Sequence, residues 1–173
     1  MRIIICTNEA ENVDMKIGRV YLHLNSIELY IRLFLLITRV GNKKATEFNR
    51  NLDKLKQGQI VEVNEITNYK QLSSLIKEYN QTVKGLNKAL VIKEDLIDLR
   101  HALAHGRAFT IEPLTPSKNP MTLLKFTDSK DNKTTVETSY IMTKQWFDEQ
   151  IERTKTEKLK VVEACRLASI NNP

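Results

Sequence analysis

Cysteine is scarce in this chain: two in 173 residues, Cys6 and Cys165, at opposite ends. That number and spacing exclude a disulfide framework and a zinc ribbon with paired ligands, and leave two ordinary thiols. Glycine (5) and proline (4) are also few, too few for the turns of an all-β domain and in line with long helices. No stretch supplies the ~20 uninterrupted apolar residues of a membrane span. The greasiest one, Ile31 to Val40, is broken by Arg32 and Arg39. The opening Ile3-Ile4-Ile5-Cys6 run stops at Asn8-Glu9, short of the ~7 apolar residues of a secretory leader. A cytoplasmic protein with no membrane partner is expected.

What is present is an ordinary globular composition, 41% hydrophobic and 28% charged, on a chain of a length that suits one domain over residues 1–173. The formal charge is +6, and its distribution is uneven. Residues 1–40 carry five basic and four acidic groups, 91–140 seven of each, and 141–173 six and five. Residues 41–90 carry nine against five, from Lys43, Lys44, Arg50, Lys54, Lys56, Lys70, Lys77, Lys84 and Lys88. Such a segment supplies the attraction that nucleic-acid binding needs, and equally describes a solvated lysine-rich surface.

Hydrophobic spacing predicts a long helix over 8–40, with Ile17, Val20, Tyr21, Leu24, Ile27 and Ile31 on one stripe. Gly41-Asn42 marks its end. A polar helical stretch is expected over 43–56, then a connection through Gly58 and Ile60-Val61-Glu62-Val63. A second amphipathic helix is expected over 68–90, on Leu72, Leu75, Ile76, Tyr79, Val83, Leu86 and Leu90. A short helix over 93–105 follows, with Gly106 placed for a left-handed C-terminal cap. The period then changes: 108–111, 123–127 and 135–141 read as strands, separated by turn-rich 113–120 and 128–132. Thr143 is placed to cap a last helix that carries Trp146, Phe147, Ile151, Leu159, Val162, Leu167 and Ile170. The expected fold is mainly α, an up-down helical bundle with a small antiparallel β insertion, about 108–142, before the last helix.

Two of the three histidines share one short segment, Leu96-Ile97-Asp98-Leu99-Arg100-His101-Ala102-Leu103-Ala104-His105-Gly106-Arg107. At about 100° per residue, Leu96, Leu99 and Leu103 make the core face. His101 and His105 lie about 40° apart on the opposite side with Glu94 and Asp98, and Arg100 sits at the edge of the leucine stripe. Three chemistries are open to this arrangement. Arg100, His101, His105 and Arg107 can simply complement the negative end of the helix dipole. His101 and His105, at i and i+4, have the spacing of two metal ligands, with Asp98 one turn earlier and His23 needed from elsewhere. Between them, however, stands Ala102-Leu103-Ala104, without the glutamate base of zinc proteases. The third reading depends on a resemblance.

Leu99 to Gly106 resembles the signature of HEPN domains, an arginine, a polar residue and then a histidine near the end of a late helix in a small α-bundle. Arg100 matches the arginine, His101 the polar position and His105 the histidine, with four residues between Arg100 and His105. Ala104 and Gly106 also fit. By motif the resemblance covers 99–106; by architecture it covers 10–107 and 143–170, leaving the β insertion outside the minimal domain. It implies a homodimeric endoribonuclease, without metal or other cofactor, whose two motifs face each other. His105 would act as general base or acid, Arg100 would hold the scissile phosphate, and His101, with Asp98 orienting it, would assist. The expected product is a 2′,3′-cyclic phosphate. Arg100 and His105 are about 140° apart on an ideal helix, so a composite site across a dimer would let them converge. Toxins of the family that are silenced by a nucleotidyltransferase often carry tyrosine two residues after the histidine; here Arg107 stands there, a further phosphate-binding candidate. The resemblance points to RNA as substrate, to a toxin or anti-phage setting, and to an antitoxin or defence-system partner. Its alternative is a catalytically silent module that binds RNA or a partner protein.

Asn25, Glu28 and Arg32 share a face of the first helix, where Glu28 and Arg32 form a supporting i, i+4 pair expected in solvent. Tyr21, Tyr30 and Trp146 read as packing groups, because no basic-aromatic interleaving surrounds them. There is no phosphate-cradling glycine loop and no serine-nucleophile motif.

Overall fold

The computed structural model describes residues 8–109, 120–128 and 132–173, with side chains from residue 13 onward. In chain order these form α1 (Asn8–Val40), α2 (Asn42–Arg50), α3 (Leu72–Val83), α4 (Leu96–His105), β1 (Arg107–Phe109), β2 (Met121–Phe126), β3 (Val136–Met142) and α5 (Lys144–Asn171). Single 3-10 turns occupy Leu52–Lys54 and Lys88–Leu90. The protein is mainly helical, with a small antiparallel sheet before its last helix. Cys6, Ile111 and nearly all of the turn segments at 113–120 and 128–132 lie outside the described residues.

The described residues divide into two compact units. One takes Asp95–Lys155 with the chain up to Leu24; the other takes Asn25–Glu94 with Thr156–Pro173. In the first, the strands are ordered β1-β2-β3, all antiparallel, with Ala108 opposite Leu123 and Leu123 opposite Tyr140. Alternation buries one face of this sheet. Leu123 and Met142 join Val13, Ala102 and Phe147 in a core, flanked by Ile17, Leu103, Tyr140 and Trp146. Ser139 and Ile141 point the other way and are exposed. The insertion is therefore not an appendage: its face shares a core with α4. Thr143 Oγ1 accepts from the Trp146 amide at 3.0 Å, the cap expected of it.

In the second unit, Ile27, Ile31, Phe34 and Ile37 of α1 are buried, as are Leu75, Ile76, Tyr79 and Val83 of α3 and Val161, Ala164 and Ala168 of α5. Phe34 meets Tyr79 edge-on at 5.1 Å, and the Tyr79 hydroxyl donates to Leu90 O at 3.0 Å. Arg32 is not the solvated partner of Glu28 that its spacing suggested. It is buried; it bonds Glu28 Oε1 at 2.9 Å and donates to the carbonyls of Glu65 (3.0 Å), Asn68 (3.1 Å) and Lys70 (2.8 Å). The guanidinium thus fixes 65–70 as a turn and connection, and α3 begins at Leu72 rather than at 68.

Over Val13–Val40, α1 is long and apolar enough to cross a membrane by length and composition, contrary to the reading of its sequence, and half of that stretch is buried within the fold. A buried core helix passes the same test. The last helix also departs from its expected stripe: Leu159 (55% exposed) and Ile170 (62%) face solvent. Its buried positions are Phe147, Thr154, Glu157, Val161, Ala164, Cys165 and Ala168, from Thr154 on a mainly three- and four-residue rhythm written in small and polar residues. Glu157 is satisfied by the Lys93 amide at 3.3 Å and by Lys160 Nζ at 2.9 Å. Urea denaturation should therefore find Leu159→Gln within about 0.5 kcal/mol of wild type, and Ala168→Leu destabilised by about 1–3 kcal/mol through overpacking. The opposite order would place the expected stripe, not the observed one, in the core.

Candidate functional site

Helix α4 buries Leu96, Leu99 and Ala102, which sets what its other face presents. His105 is exposed and His101 half-buried. Their rings lie 6.2 Å apart at 62°, so the one-turn spacing puts two imidazoles side by side. Arg100 is half-buried, and its Nε is enclosed without a hydrogen-bond partner among the described residues. No described carboxylate pairs with it. A guanidinium held this way has no counter-charge among the described residues to compete with an anion.

The helix ends at Gly106, but not by the left-handed cap expected. Gly106 has φ −72° and ψ 166°, extended backbone open to any residue. Space is what demands glycine: a β-carbon there would stand 2.2 Å from Ala102 O and 2.8 Å from Leu123 Cδ1. The Gly106 amide donates to that same Ala102 oxygen at 2.7 Å. With no side chain in the way, the chain passes from His105 straight into β1, and the sheet closes against the helix end.

That closure brings in two residues that the sequence did not single out, Lys125 of β2 and Tyr140 of β3. Both lie on the face that carries Leu123, at alternate positions. Lys125 pairs with Glu137 at 2.8 Å, and Tyr140 stacks at a tilt on Trp146 at 5.7 Å. The His101 imidazole is held below its ordinary 6.5, first by burial and then by the positive charge of Lys125, Arg100 and His105; Asp98 opposes them. Burial and the neighbouring Asp98 carboxylate raise the Tyr140 phenol, against the pull of Arg153. The phenol stays a neutral hydroxyl. The signal was available in the period-2 pattern of β2, which puts Lys125 on the side of the core residue Leu123. Nothing local says that this side faces α4.

The remaining candidates separate. Arg107 lies on β1 rather than on the helix, with its guanidinium 5.9 Å from the Phe126 ring. Asp98 is exposed in the first turn of α4 and forms no hydrogen bond with His101 among the described residues; it acts on His101 only through its field. His23 Nδ1 sits 3.0 Å from Thr154 Oγ1. Among the described residues no group of three or more His, Cys, Asp or Glu is placed to hold a metal ion. Cys165 is buried, and its thiol is pushed up to about 12, far from a nucleophile's range. In comparisons with known proteins, no family profile, no curated sequence and no solved structure matches this chain.

Two measurements follow. Gly106→Ala should lower stability by about 1–3 kcal/mol, because backbone must move to admit the methyl group. Gly18→Ala, in helical open space, should raise it by about 0.5–1 kcal/mol; equal effects of the two would remove the steric account. Because the folded state holds His101 below 6.5 while the unfolded chain does not, unfolded molecules bind the extra proton, and stability falls as pH drops below about 6.5. By NMR, His101 should titrate below 6.5, and Lys125→Met should raise its midpoint. A midpoint indifferent to residue 125 would separate β2 from the site.

Proposed function

We propose that this chain is a metal-independent endoribonuclease of the HEPN type, acting in the cytoplasm as a homodimer. The observation that carries the reading is the imidazole pair on α4: His105 in solvent, His101 beside it and disfavoured from protonation, with Arg100 on the same helix free of any described carboxylate. Cleavage through the ribose 2′-OH needs two proton transfers and a fixed cation. One imidazole takes the proton as the 2′-oxygen attacks phosphorus. The other returns a proton to the 5′-oxygen as the P–O5′ bond breaks, leaving a 2′,3′-cyclic phosphate. Arg100 meets the charge on the phosphate in bidentate fashion. Lys125 adds to this account from the β insertion, keeping His101 ready to accept a proton.

A dimer supplies what one helix does not. Arg100 and His105 diverge by about 140° on an ideal helix, so the arginine of one protomer serves the histidine of its partner. As a toxin or anti-phage effector, the enzyme would be held in check by a partner whose identity is independent of the active site.

Purified protein in EDTA should cleave single-stranded RNA to 2′,3′-cyclic phosphate ends, and Arg100→Ala and His105→Ala should each lower the rate by about 100-fold or more. Mixing the two variants should restore a fraction of the activity if the site is composite. Induced expression of wild type, but not of His105→Ala, should arrest growth. No cleavage by well-folded dimeric wild type would leave a binding module, and unchanged activity in both variants would put the chemistry elsewhere.

A further inference from the structure

We infer that the surface of α2 and the turn after it is a second binding site, for the backbone of single-stranded RNA. The inference rests on RNA being the ligand of this protein, and extends that reading to a part of the chain with no role in the chemistry proposed above. Between Asn42 and Lys56 the chain carries five cations, Lys43, Lys44, Arg50, Lys54 and Lys56, against Glu47 and Asp53. That is half of the molecule's formal surplus in 15 residues. None of the five forms an ion pair with a described carboxylate. Other cations of the same unit are neutralised, Arg39 by Glu65 and Glu78, Lys70 by Glu78 at 2.9 Å and Lys160 by Glu157 at 2.9 Å, whereas Lys77, Lys84 and Lys88, also unpaired with any described carboxylate, line neither concavity described below.

The free cations are also arranged. Lys43, Glu47 and Arg50 share one face of α2 by helical geometry, and this face and Lys54 line an open basin of about 840 Å³ with the polar groups of Thr46 and Asn51. A second cleft of about 270 Å³ adjoins it, sharing Glu47 and Asn51, and its lining is different: Phe48, Leu52 and Leu55, with Lys44 at the edge. A basic groove beside an apolar cleft with an aromatic ring is the pattern that takes a single strand, phosphates in one and a base in the other. Free phosphate would need only the first. An anionic membrane would meet a flat apolar face rather than two concavities. Glu47 stands where both meet, a carboxylate that opposes a polyanion.

The test uses a 20-nucleotide 2′-O-methyl RNA, which cannot be cleaved, with binding followed by fluorescence anisotropy in EDTA. The combined variant Lys43→Ala, Arg50→Ala, Lys54→Ala should weaken binding at least 10-fold and lower the slope of log affinity against log salt by about 2. Phe48→Leu, which keeps an apolar side chain, should weaken binding severalfold with the salt slope unchanged. Glu47→Gln should tighten it, a gain that damage to the fold does not produce. Binding unaffected by these changes overturns the assignment. So does equal loss from Lys77→Ala, Lys84→Ala, Lys88→Ala, which would mean bulk charge alone, or the same dependence on Lys43, Arg50 and Lys54 for phosphatidylglycerol vesicles in place of RNA. Because the probe has no 2′-hydroxyl, failure here leaves the cleavage result standing, and failure of cleavage leaves this one.

Discussion

The candidate site depends on an absent β-carbon. At Gly106 the helix must stop and the sheet must start within one residue, and Ala102 O and Leu123 Cδ1 occupy the volume that a side chain would need. Everything that distinguishes α4 from an ordinary helix end follows from that closeness. It lets Leu123 and Met142 complete a core with Ala102 and Phe147, and so turns the inner face of β2 and β3 toward the helix. Lys125 and Tyr140 then enter the electrostatic surroundings of His101 and Asp98. The β insertion, which the motif alone leaves aside, becomes part of the setting of the histidines.

The sequence made legible whatever depends on local rules. The bounds of α1, Leu96 and Leu99 on the buried face of α4 (where Ala102 rather than Leu103 is the third buried residue), the Thr143 cap and three strands in the last third of the chain all follow from periodicity or from capping chemistry. It hid what depends on distant partners. The segment from Glu65 to Lys70 leads into helical spacing, but three of its carbonyls are claimed by Arg32 from some 35 residues away, and a helix would need those oxygens for itself. In α5 the largest apolar side chains drew attention to Leu159 and Ile170, whereas close approach to neighbours selects alanines and tolerates Thr154 and Glu157 once their polar atoms are bonded. At Gly106 the residue was legible and its reason was not: a glycine after a helix suggests a positive φ, and the true demand is room.

Charge separates the same way. Arg32, Arg39, Lys70 and Lys160 spend their charge inside the fold, on carboxylates and carbonyls that hold the connection after α2 and the start of α4. Composition counts these cations equally with Lys43 or Arg50, which pair with nothing described. Only the pairing shows which part of the +6 is available to a partner. The nine basic residues of 41–90 are thus less a uniform surface than they look: Lys70 belongs to the structural set, five unpaired cations cluster on α2 and the turn beyond it, and Lys77, Lys84 and Lys88 stand apart from them.

Arg100 belongs with the second kind, and that bears on what α4 is for. A helix C-terminus rewards any cation by roughly 0.3–1 kcal/mol, which would account for His105 in the last turn. It does not account for Arg100, further from that end, half-buried, with Nε enclosed and without a hydrogen-bond partner among the described residues. Enclosing such a donor costs on the order of 1–3 kcal/mol, and a residue kept only for the dipole could be a lysine or be absent. The cost is recovered when an anion reaches the rest of the guanidinium. His101 carries a related bias: burial first, and then the positive charge of Lys125 and Arg100, disfavour its protonation. Under the ribonuclease reading proposed above, the two residues would divide the work on a phosphodiester, Arg100 as its cation and His101 as a base kept neutral.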